Sequence, residues 1–159
     1  MAHLFRKLLL PVLLALTSLV LPAAAVAAPA PAGVVPAVGK FCLVTNYPKA
    51  YFVTLGTCSS GAANQQWTVS GQSIHLTQNP GLCVVTDYPQ AYIVSLGNCG
   101  SAANQQWTVS GQSIRLTQYS NLCLVTNYPQ AYIVSLGNCG TAANQQWTIQ
   151  GQQISLTNY

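Results

Sequence analysis

An all-β fold of three four-stranded units around a pseudo-threefold axis is what this sequence predicts, on three observations. One stretch recurs in register, as AANQQWTV at Ala62–Val69, AANQQWTV at Ala102–Val109 and AANQQWTI at Ala142–Ile149, so that Trp67, Trp107 and Trp147 stand 40 residues apart. A fixed period in this range marks a repeat architecture. Short runs rich in β-branched and aromatic residues fill each period, separated by Pro and Gly, with no helical period of useful length after the N-terminal segment. Each period also holds two cysteines, always 16 apart. A propeller blade has a similar length, but propellers need about four blades or more to close. Three four-stranded units closing on one another make a β-trefoil.

The first 27 residues have the layout of a secretory leader: Arg6 and Lys7, an apolar run over Leu8–Leu21, then small residues to Ala27. Ala25-Val26-Ala27 is the expected cleavage pattern, leaving Ala28 first and the protein secreted. The apolar run falls short of the ~20 residues that a spanning helix needs and is interrupted by Pro11, so no membrane span is expected after cleavage. Residues 28–40 read as a Pro/Ala-rich linker without a core-forming pattern. The domain proper is residues 41–159, in copies 41–80, 81–120 and 121–159.

Within the first copy, Cys42–Asn46 reads as a strand, Tyr47–Ala50 as a loop, and Tyr51–Thr57 as a second strand. A small-residue loop leads to a third strand, Gln66–Ser70, and Gly71-Gln72 turns the chain into a fourth, Ser73–Thr77. Alternation sets Ile74 and Leu76 on one face and His75 on the other. The expected core is Leu43, Val53, Leu55, Trp67, Val69, Ile74 and Leu76 with their counterparts, the tryptophans packing inward rather than stacking on a ligand.

Cys42, Cys58, Cys83, Cys99, Cys123 and Cys139 are an even set in a chain expected to be exported, which implies disulfides. Six cysteines allow 15 connectivities, and repeat symmetry favours the local pairs Cys42–Cys58, Cys83–Cys99 and Cys123–Cys139. A zinc site is disfavoured, because there is no Cys-x-x-Cys knuckle and only His75 follows the leader.

Charge excludes several function classes. Beyond the leader only Lys40, Lys49, Arg115 and Asp87 are charged, a net of +2 too scattered for nucleic acid or a polybasic membrane surface. One carboxylate cannot supply the acid pair of glycoside hydrolysis. His75 and Asp87 lie in different copies, and His75 is replaced by Arg115 and Ser155 in the others, so no triad is expected. No phosphate-binding loop or calcium-binding set is present, and no cofactor is expected.

A Cys-Leu start, a second Cys after the second strand and Asn-Gln-x-Trp before the third make each copy similar to the repeat of ricin B-type (R-type) lectins. The motif stands as Asn64-Gln65-Gln66-Trp67, Asn104-Gln105-Gln106-Trp107 and Asn144-Gln145-Gln146-Trp147, and the resemblance covers Phe41–Tyr159. It implies a β-trefoil, disulfides within each repeat and a secreted carbohydrate-binding module. Sugar-binding members of that family carry an Asp two residues after the first Cys, where this chain has Val44, Val85 and Val125. Their aromatic platform two residues before the second Cys is Gly56, Gly97 and Gly137 here, and a Gln two residues earlier is Thr54, Ser95 and Ser135. Of the family's sugar-contacting set only Asn64/Gln65, Asn104/Gln105 and Asn144/Gln145 remain, and those amides can equally tie the loop backbone together.

A second candidate site is the loop Asn46–Tyr51, with Asp87–Tyr92 and Asn127–Tyr132, which holds six of the eight tyrosines. Sugar recognition needs a flat apolar ring with amide or carboxylate partners, and Asn46/Tyr47, Asp87/Tyr88 and Asn127/Tyr128 offer both. Tyr51, Tyr92 and Tyr132 open the second strand and are expected to pack inward. The expected partner is a glycan or polysaccharide. The alternative is a secreted protein-binding trefoil, an inhibitor or surface-interaction module, since the fold alone does not choose.

Overall fold

The computed structural model describes residues 40–159; the expected leader, its cleavage site and the linker up to Gly39 lie outside the described residues. The described chain is all-β. Copy one supplies β1 (Phe41–Thr45), β2 (Val53–Thr57), β3 (Trp67–Ser70) and β4 (Ser73–Leu76). Copy two supplies β5 (Asn79–Thr86), β6 (Val94–Asn98), β7 (Trp107–Ser110) and β8 (Ser113–Leu116). Copy three supplies β9 (Leu122–Thr126), β10 (Val134–Asn138), β11 (Trp147–Gln150) and β12 (Gln153–Leu156). A single 3-10 turn, at Ala63–Gln65, Ala103–Gln105 and Ala143–Gln145, precedes each tryptophan strand.

The sheets do not coincide with the sequence copies. Each joins the last two strands of one copy to the first two of the next, in the orders β3-β4-β5-β6, β7-β8-β9-β10 and β11-β12-β1-β2. The third sheet closes the ring, with Cys42 of β1 opposite Ser155 of β12. Two further sets of backbone bonds run cyclically between copies. Leu55, Leu96 and Leu136 N–H groups donate to Tyr132, Tyr51 and Tyr92 O at 2.8, 2.6 and 2.8 Å. Trp67, Trp107 and Trp147 N–H groups donate to Gln152, Gln72 and Gln112 O at 2.7, 2.8 and 2.8 Å. In each tryptophan hairpin the two-residue turn starts on a glycine at φ +57°, a left-handed value that a Cβ disfavours.

The core is the three tryptophans with the leucines, isoleucines and valines that alternate along the inner strands. Each indole N–H is satisfied inside the core, by Leu43, Val84 and Leu124 O at 2.8 Å in every copy. The expected core differs in one position per copy. Val69 and Ile149 are only partly buried and Val109 is 39% exposed. The reason is place: β3, β7 and β11 are edge strands, and these residues sit one pair from the turn, where cover comes from one side only.

The disulfides are Cys42–Cys58, Cys83–Cys99 and Cys123–Cys139, the pairing that repeat symmetry favours. They tie the first strand of each copy to the end of its second.

Candidate carbohydrate-binding surface

The three tyrosine loops are built alike. The buried Thr45, Thr86 and Thr126 end the first strands, and their Oγ1 atoms accept from Tyr47, Tyr88 and Tyr128 N–H at 3.1, 2.9 and 2.9 Å. The following Tyr–Pro bonds are cis. The Asn46, Asp87 and Asn127 carbonyls accept from Lys49, Gln90 and Gln130 N–H at 3.0, 2.9 and 2.9 Å, curling each loop. In copies two and three the side chain also holds the loop's far end, with Ile93 N–H donating to Asp87 Oδ1 and Ile133 N–H to Asn127 Oδ1, at 3.0 and 3.1 Å.

The loop tyrosines divide the work in the reverse of the expected sense. Tyr51, Tyr92 and Tyr132 are 52, 53 and 51% exposed rather than packed inward. The regular second strands begin only at Val53, Val94 and Val134. Just before them the backbone is drawn across to the neighbouring copy by the Tyr51, Tyr92 and Tyr132 carbonyls and by bridges such as Phe52 opposite Ser95, which turns these rings outward. Tyr47, Tyr88 and Tyr128 are half-buried and lean on the core. Each supports its exposed partner, with ring centres 5.5, 5.6 and 5.6 Å apart.

Two aromatic positions that sequence reasoning passed over join these clusters. Tyr119 packs on Tyr88 at 4.7 Å and Tyr159 on Tyr128 at 5.0 Å, and each is 37% exposed. Phe41, buried, backs Tyr128 at 4.5 Å from the far side of the closed ring. The available signal was that Tyr119 and Tyr159 stand 40 apart, behind the fourth strand of their copies, where copy one has Asn79.

The amides of the tryptophan motif are engaged internally. Asn64, Asn104 and Asn144 Nδ2 donate to Thr45, Thr86 and Thr126 O at 2.8, 2.5 and 2.6 Å. Gln65, Gln105 and Gln145 Oε1 accept from Ser59, Gly100 and Gly140 N–H at 2.8, 2.5 and 2.6 Å. Asn46, Asp87 and Asn127 are exposed and directly follow the threonines that these asparagines bind, so the structure sets the two groups of candidates side by side at the root of each loop, the motif amides turned to the backbone.

Where an Asp and an aromatic would face a sugar in the lectin resemblance, valine fills the space against glycine. A Cβ added to Gly56 would stand 3.1 Å from Val44 Cγ1, one on Gly97 3.0 Å from Val85 Cγ2, and one on Gly137 2.9 Å from Val125 Cγ2. The two departures therefore compensate each other in every copy. Where the second strands converge, a pocket of about 310 Å³ is lined by Phe52, Ile93 and Ile133 above Val53, Val94 and Val134, with Thr54 as its single polar lining residue. It lacks the hydrogen-bonding groups that a sugar requires.

Three sheets in threefold arrangement, with a buried Asn-Gln-x-Trp tryptophan in each copy, define a lectin-type β-trefoil. The model of the ricin-type β-trefoil lectin domain matches residues 73–159, more than half of the chain, and the chain belongs to that family. Among solved structures it is similar to an agglutinin from Abrus precatorius, with a TM-score of 0.61 and 23% identity over 70% of this chain and 44% of that one. It is also similar to a non-toxic homologue of type II RIPs from Momordica charantia (bitter gourd), solved in complex with α-methyl-D-galactoside. There the TM-score is 0.57 and the identity 18%, over 73% of this chain and 43% of that one. This chain thus spans less than half the length of either. No curated protein matches it.

Proposed function

We propose that this is a secreted, non-catalytic carbohydrate-binding module that engages polysaccharide through its tyrosine loops. The observation that carries the reading is the exposed ring on three equivalent loops, Tyr51, Tyr92 and Tyr132, each seated on a half-buried tyrosine and beside Asn46, Asp87 or Asn127. Sugar C–H faces pack on such rings, and the amide or carboxylate, the Tyr hydroxyls and Gln90 or Gln130 offer hydrogen bonds. Family membership supports the ligand class. The valine-against-glycine filling argues that the sugar site implied by the lectin resemblance has no counterpart at those positions. Asn64, Asn104 and Asn144 serve the reading indirectly, by holding the ends of the first strands from which the loops spring, while Gln65, Gln105 and Gln145 tie the loop after the second strand.

The non-catalytic part rests on inventory: the described residues contain one carboxylic side chain and one histidine, in different copies. Secretion rests on the leader pattern and on three disulfides, which persist in oxidising compartments. The test is a panel of immobilised polysaccharides and a glycan array, probed with the protein starting at Ala28. Retention by polysaccharide with weak monosaccharide binding is expected, since several equivalent sites add avidity of about 10²–10⁴ where geometry permits. Failure to bind any glycan overturns the reading. A protein-binding module would then lead, favoured by the exposed Phe52, Ile93 and Ile133 around the convergence of the second strands.

A further inference from the structure

The three loops differ in how many rings they assemble. Copy one has the pair Tyr47 and Tyr51. In copy two the half-buried Tyr88 touches two exposed rings, Tyr92 at 5.6 Å and Tyr119 at 4.7 Å. In copy three Tyr128 likewise touches Tyr132 at 5.6 Å and Tyr159 at 5.0 Å, and the buried Phe41 packs on both Tyr128, at 4.5 Å, and Tyr132, at 5.7 Å. A floor ring with two exposed neighbours can contact a sugar from two directions. The pair in copy one has a single exposed ring, and Asn79 holds the sequence position that Tyr119 and Tyr159 hold in the other copies.

On this ground we infer that copies two and three carry the binding, with Tyr119 and Tyr159 as ligand-contacting residues, and that the ligand is a neutral polysaccharide of equatorially substituted pyranoses. The inference rests on the proposed carbohydrate reading and names the site and ligand class within it. Its chemistry is as follows. A pyranose whose substituents are all equatorial presents axial C–H groups on both faces, so two rings can grip it. An axial hydroxyl interrupts one of those faces and wastes the second ring. Neutrality follows from the sparse charge of the surroundings: Asp87 is the one charged residue in the two loops, its Oδ1 already accepts from Ile93 N–H, and beside the copy-three cluster stands a lone Lys40, whose Nζ lies 5.6 Å from the Phe41 ring centre.

The experiment is affinity electrophoresis of the disulfide-bonded protein in gels containing hydroxyethyl cellulose, xylan or an arabinose-free β-galactan. The parent is expected to be retarded by the first two and not by the galactan. Tyr119→Ala and Tyr159→Ala should each weaken the interaction about tenfold, equivalent to ~1.4 kcal/mol, and the pair should abolish it. Tyr51→Ala, in the copy with one exposed ring, should weaken it less than either, by about twofold, a few tenths of a kcal/mol. Asn79→Tyr, which supplies copy one with its missing ring, should strengthen it. Near-UV circular dichroism confirms that each variant is folded, and the Asn79→Tyr gain does not depend on any loss of structure. Binding that survives the double change, is removed by Tyr51→Ala, or is equal on galactan overturns this inference while the carbohydrate reading stands. A parent retarded by no polysaccharide overturns both.

Discussion

Trp67 is 1% exposed, and its indole N–H donates to Leu43 O at 2.8 Å. Tryptophan is therefore specified twice, by volume and by one donor aimed at the carbonyl of a fully buried residue. Replacing it with Phe keeps most of the apolar surface but leaves that carbonyl unpaired, which costs about 1–3 kcal/mol before the smaller ring is counted. Urea denaturation of Trp67→Phe should show this loss, with equal losses for Trp107→Phe and Trp147→Phe. The loop tyrosines predict a separation of effects. Tyr88→Ala removes a ring that leans on the core and should lower both stability, by roughly 1–3 kcal/mol, and polysaccharide binding. Tyr92→Ala removes an exposed ring and should lower binding while leaving the unfolding midpoint near that of the parent. Equal destabilisation by the two changes would mean that the exposed ring is structural.

At the scale of elements, the tryptophan hairpins and the disulfides set the limits of tolerance. Gly111 stands at φ +57° with open space around it, so Gly111→Ala meets no clash and tests backbone conformation alone. It should cost roughly 1 kcal/mol, measurable as a lower urea midpoint at unchanged m-value. Replacing Cys83 and Cys99 together by Ser should cost about 3 kcal/mol, the loop-entropy value for a closed loop of this length. Both kinds of element were readable from sequence, because a two-residue Gly-Gln turn between alternating runs and a 16-residue cysteine spacing are local signals. Twelve strands and a tryptophan core followed from the same periodicity. The outward turn of Tyr51, Tyr92 and Tyr132 was not readable, since simple alternation back from Val53 sends Tyr51 inward. What reverses it is a bond from Leu96 of another copy to the Tyr51 carbonyl, a long-range event that leaves no trace in the local pattern. Tyr119 and Tyr159 escaped for a similar reason: they follow the fourth strand, and only the folded chain carries them to the loop after the first.

For the molecule as a whole, the scarcity of charge predicts how the proposed binding responds to salt. With Lys40, Lys49, Arg115 and Asp87 as the charged side chains of the described residues, raising NaCl from about 0.05 M to about 0.5 M should leave polysaccharide retention nearly unchanged. A steep loss would point to an ionic partner instead. The offset between sheets and sequence copies has a further consequence. Because β1 completes its sheet with β12, and Lys40 N–H donates to Tyr159 O, the two ends of the described chain are neighbours. The order in which the twelve strands are synthesised is then a matter of where the circle is cut. A permuted gene that joins residue 159 to residue 40 through a short Gly/Ser bridge and opens at the exposed Gln78 would begin and end at the junction of two copies. Its product should fold to the same three disulfides and nearly the same melting temperature. In such a protein β12 runs on into β1 through a covalent connection, as β4 already runs into β5 and β8 into β9.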